Sequence, residues 1–140
     1  MQELDTLNLT LDTFHLKLLK KMLYFLILVI SAIASYFLPW WVIAPIAFLL
    51  CAWKAEDGLK AYAIPAAAIT TLWVAYATYL NVSTGGVISQ NIGHLFTANS
   101  PFLQKLPTVG LLMFVMTLIG ANVAGFAGLA GFHFRQLLKK

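Results

Sequence analysis

The sequence predicts an all-α fold, a polytopic integral membrane protein with four transmembrane helices, the first two joined in a tight hairpin. Three observations predict it. Of 140 residues, 61% are hydrophobic and only 10% charged, with a mean hydropathy of +0.84, against about 45–50% apolar and about 25% charged in soluble domains. The apolar residues form blocks long enough to cross a bilayer, which takes about 20 residues per helix. Eight of the nine basic residues lie in intervals that an even number of spans places on one side. Nine basic and five acidic side chains could not cover a water-soluble globule of this size. Disorder is excluded by the apolar content, and a disulfide-stapled domain by the solitary Cys51.

Residues 1–21 read as an amphipathic cytoplasmic segment. Leu4, Leu7, Leu11, Phe14 and Leu18 recur at helical spacing, as on a helix lying on the inner surface. The stretch Leu7–Asp12 instead alternates strictly, which suits an extended arm. The helix is the preferred reading, with Asp12 available to N-cap a helix beginning at Thr13. The first apolar run is preceded by a 16-residue polar-apolar segment and lacks a small-residue cleavage site, so no cleavable signal peptide is expected.

Residues 22–134 read as the four-helix transmembrane domain. Met22–Trp53 carries no charge and is interrupted by Pro39-Trp40-Trp41. Proline clashes with the preceding helical turn and tryptophan collects at bilayer interfaces, so a break near Leu38 at headgroup level is expected. The first two spans are then 22–38 and 41–55. The second is short and is expected to continue through Lys54 and Ala55, the lysine snorkelling outward. A charged loop, Lys54–Lys60, leads to a third span over 61–82, with Pro65 in its first turns. The outer loop is 83–107. Within it Val87, Ile88, Asn91, Ile92, Leu95 and Phe96 fall at helical spacing, predicting a short helix over 87–97 on or in the outer leaflet. A lid over a lipid-accessible cavity, a re-entrant element and a simple connector all remain open for this loop. The fourth span is 108–132, and 135–140 form a basic cytoplasmic tail.

Lys17, Lys20, Lys21, Lys54, Lys60, Arg135, Lys139 and Lys140 fall on one side under this scheme, and Lys105 on the other. Both termini are therefore expected in the cytoplasm, with a bacterial inner membrane as the expected location. The net charge of +4 is explained by topology anchors beside anionic lipid, and no nucleic-acid partner is needed.

The fourth span carries Gly120, Ala121, Ala124, Gly125, Gly128 and Gly131 at small-xxx-small spacing, a close-packing surface in lipid. Two packed faces are expected, one inside the protomer and one against another subunit. The alternatives are packing wholly within the protomer, or a pore. Asn122, mid-span, needs a hydrogen-bond partner in hydrocarbon; Thr70, Thr71 or Thr78 of the third span are the candidates, with a solute contact as the sharper alternative. No ionisable residue lies mid-span, which argues against charge-coupled transport. His15, Glu56, Asp57 and His133 could converge at the inner boundary to hold a metal or exchange protons, although they also fit as unconnected interfacial side chains. There is no Cys-x-x-Cys, His-Glu-x-x-His or Gly-x-Ser-x-Gly motif, so no cofactor, metal or catalytic set is assigned. The expected function is non-catalytic: a subunit, scaffold or assembly partner acting through the Gly/Ala-rich fourth helix. Its expected partners are membrane lipid and further copies or other membrane-protein subunits. The alternative is a homo-oligomeric channel or carrier for a neutral or lipid-like solute.

Overall fold

The computed structural model describes residues 2–98 and 107–139, with the backbone alone for 2–12, 16, 88, 89, 96, 97 and 108. All regular structure among the described residues is helical. Helix α1 runs Gln2–Phe37, a 3-10 turn covers Trp40–Val42, and α2 is Ile43–Lys54. Helices α3, α4 and α5 are Gly58–Ser83, Val87–Thr97 and Thr108–Leu138.

Among the described residues three stretches are long and apolar enough to cross a membrane: Thr13–Phe37 of α1, Gly58–Ser83 and Val109–Leu138. The fourth expected span is shorter than required. The 3-10 turn and α2 together comprise three plus twelve residues, about 22 Å at 1.5 Å per residue, against a hydrocarbon core of about 30 Å. Its limits have local causes. Pro39 (φ −59°, ψ 158°) ends α1 near the expected break. At the other end Ala55 turns extended (φ −72°, ψ 136°), so the helix stops at Lys54 and does not continue through Ala55.

Two other boundaries differ from expectation. Helix α1 begins at Gln2, which removes both the extended arm and the cap at Asp12. No glycine or proline precedes Pro39, so nothing breaks the 3.6-residue repeat, which prevails over the short alternation at Leu7–Asp12. Phe14 and Leu18, on the proposed apolar face, are exposed; the side chains of Leu4, Leu7 and Leu11 lie outside the described set. Helix α5 likewise continues to Leu138, so most of the basic tail is its last turn.

Contacts between helix ends fix the layout. Lys54 Nζ donates to Met22 Sδ at 3.9 Å, so α2 folds back along α1. Lys20, Lys54 and Lys60 border one cleft, and Arg135 reaches the last carbonyls of α2. The basic part of α1, the end of α2, the start of α3 and the end of α5 therefore share one charged end. The Pro39 turn and α4 belong to the opposite end. Helix α5 packs most extensively on α3 and then on α2, while α1 packs on both α2 and α3. The buried core draws on all four, with Leu23 and Ile27, Ile43 and Ala47, Ala68 and Ile69, and Ala124 among its members. Much of it is small. Cohesion in lipid rests on close van der Waals contact and interhelical hydrogen bonds, which small side chains permit. Between α3 and α4 the chain reverses through Gly85 and Gly86, both left-handed (φ 60° and 80°), where a Cβ would be strained.

Candidate functional site

The glycines of α5 from Gly120 to Gly131 are committed inside the protomer. A Cβ at Gly120 would lie 3.1 Å from the Trp73 ring, and one at Gly125 would lie 2.6 Å from the Tyr62 ring. At Gly128 it would overlap the carbonyl oxygen of Ala61, and at Gly131 that of Phe48. Ala124 is wholly buried and Ala121 partly so. The two packed faces expected of this helix thus exist, but they meet α3 and α2. Where the backbones approach, the Cys51 thiol donates to the Ala61 carbonyl at 3.6 Å.

Polar groups follow the same pattern. Asn122 is paired across helices, but not with the expected threonines. Tyr62 OH donates to Asn122 Oδ1 at 2.9 Å, and Asn122 Nδ2 donates to the Leu118 carbonyl at 2.7 Å. Thr71 instead accepts from Tyr24 OH at 2.8 Å, joining α1 to α3, and Thr78 bonds back to the Val74 carbonyl at 2.7 Å. Thr70 makes no bond to Asn122. The expectation named the right helix and missed the long-reaching phenols; a tyrosine in an apolar run, whose hydroxyl needs a partner, was the available signal.

His15, Glu56, Asp57 and His133 do not converge: among the described residues no three His, Cys, Asp or Glu side chains gather as a ligand set. Glu56 instead pairs with Lys60 at 3.7 Å, and His133 stacks edge-on against Phe132 at 5.4 Å. Arg135 is the residue that sequence reasoning undervalued. Its guanidinium donates to the carbonyls of Trp53 at 3.0 Å and Ala55 at 2.7 Å. It satisfies acceptors that the end of α2 leaves open and ties α2 to α5.

The opposite end is open. A cavity of about 620 Å³ lies among Ser35, Tyr36, Trp40, Trp73, Tyr76 and Met116. A second, about 540 Å³, shares Trp40, Trp73 and Met116 and extends to Leu112 and Val115 of α5 and Ile92 of α4. Both volumes fall in the range of about 300–1,000 Å³ typical of small-molecule sites. The cavities arise from unequal helix lengths. Ser35 and Tyr76 both border the first cavity. Helix α1 ends two residues beyond Ser35, whereas α3 runs seven beyond Tyr76; that difference is about 8 Å of helix. The hairpin tip therefore leaves the far parts of α3 and α5 uncovered, and α4 folds back on α5 beside the gap. Among the described residues no charged side chain lines either cavity. The hydroxyl-bearing residues Ser35, Tyr36 and Tyr76 border the first, while the second is lined by apolar side chains and two tryptophans. The expected outer helix is present at Val87–Thr97; the rest of the outer loop, residues 99–106, lies outside the described residues.

No family model, no curated protein and no solved structure matches this chain.

Proposed function

We propose that this chain is a non-catalytic, four-crossing membrane protein that binds an uncharged, lipid-like solute in the paired cavities beside Trp40 and Trp73. The observation that carries the reading is the lining: two adjoining cavities of ligand size, bordered among the described residues by no charged side chain, with hydroxyl-bearing residues on one of them only. An ionic solute would lose its hydration there without a counter-charge, whereas an apolar body with a small polar group is matched at both parts. Helix α2 makes the fourth crossing. Trp40 and Trp41 mark one of its ends and Trp53 and Lys54 the other, residues that suit two interfaces, and modest local thinning accommodates its shortfall. With the charged end toward the cytoplasm of a bacterial inner membrane, both termini lie on that side. The subunit or scaffold reading draws no support from the glycine face, because α2 and α3 already cover it.

The test is lipid extraction and mass spectrometry of protein purified in mild detergent. Wild-type protein is expected to retain a neutral lipid in near-stoichiometric amount. A Leu112→Trp variant, which fills the second cavity, is expected to lose it while keeping the same helicity and elution volume. Wild-type protein free of neutral lipid would remove the reading.

A further inference from the structure

We propose that the charged end carries a seat for an anionic phospholipid where α1, α2 and α3 meet. Lys20 of α1, Lys54 at the end of α2 and Lys60 of α3 border one shallow cleft floored by Leu19, Leu23 and Ile64. Among the described residues the single carboxylate lining it, Glu56, lies 3.7 Å from Lys60. Among the described residues neither Lys20 nor Lys54 has an ion-pair partner. Lys54 Nζ has the Met22 sulfur at 3.9 Å and the Trp53 ring centroid at 5.3 Å. Neither neighbour neutralises an ammonium. Three lysines against one carboxylate leave the cleft with two uncompensated positive charges.

The dimensions select the kind of anion. The cleft encloses about 10 Å³, about one water-sized group. It cannot engulf a free solute, but it can accept the protruding oxygen of a group held from outside. A lipid phosphodiester meets this description: its acyl chains would lie along the half-buried Leu19 and Ile64 while the lysines extend to headgroup level. A zwitterionic headgroup brings its own cation and leaves the charge of the cleft unbalanced. The seat rests on the membrane placement above and not on what the cavities hold.

Native mass spectrometry of the full chain, offered equal amounts of phosphatidylglycerol and phosphatidylcholine, tests it. Phosphatidylglycerol is expected to be retained preferentially. The Lys20→Gln/Lys54→Gln variant is expected to weaken that retention about thirtyfold, at about 1 kcal/mol per lysine near an anionic surface. The Lys17→Gln/Lys139→Gln variant, equal in charge change, is expected to leave it unaltered, and Glu56→Gln to strengthen it. Equal retention of the two lipids, equal losses in both double variants, or no loss in the first would each overturn the seat. Displacement of the lipid by millimolar inorganic phosphate would assign the cleft to a soluble anion and overturn it as well.

Discussion

Helix α5 has two halves that differ in almost every physical respect. From Gly120 to Gly131 its glycines and Ala124 are buried, and the helix meets α2 and α3 at close quarters. From Leu111 to Ile119 it is large and mostly apolar, and it borders open space under the hairpin tip and α4. The difference shows how one helix can serve both cohesion and binding. Glycine lets neighbouring helices close to full contact at the charged end. At the other end cavities open beside Trp40 and Trp73, where the hairpin is too short to fill the gap.

The sharpest way to break this contrast is one substitution made in both halves. Gly128→Ala forces a methyl onto the Ala61 carbonyl and against Pro65, and is expected to cost about 1–3 kcal/mol, as overpacking does. Thermal unfolding in detergent, followed by circular dichroism, reads it. Arg135→Gln is comparable in size: it removes two charged donors from the end of α2, a loss of about 1.5–3 kcal/mol, the worth of one hydrogen bond to a charged group, seen as earlier proteolysis around Ala55. Tyr62→Phe strips Asn122 of its interhelical donor, which is expected to cost about 0.6–1.7 kcal/mol in equilibrium unfolding, the range measured between membrane helices.

The smallest effect carries the opposite sign. A Cβ at Gly110 meets only Pro107 Cγ, at 3.6 Å, so Gly110→Ala is expected to stabilise by about 0.5–1 kcal/mol through helix propensity. If Gly110→Ala and Gly128→Ala shift the melting temperature in the same direction, the division of α5 into a packed half and an open half is wrong.

Much of this architecture was legible in the residues. Pro39 lacks an N–H, fixes φ and disfavours helical geometry at Leu38, so the turn falls near the expected break. The short helix over 87–97 follows from apolar spacing alone. The site was less legible. Small-xxx-small spacing announces that something approaches closely, but the same spacing serves α2, α3 or a second protomer. Asn122 announced a need for a partner, while its partner lies sixty residues away and reaches it through the length of a tyrosine side chain.

The sequence by itself determined that the chain is helical, apolar enough for a membrane and charged at few places, since composition, periodicity and proline act locally. Only the tertiary structure decided which helix occupies the glycine face, that Arg135 closes the end of α2, and that Lys20, Lys54 and Lys60 share a cleft. It alone decided that unequal helix lengths leave two cavities at the uncharged end. These properties depend on the relative heights and approach of helices far apart in sequence, which no single segment encodes.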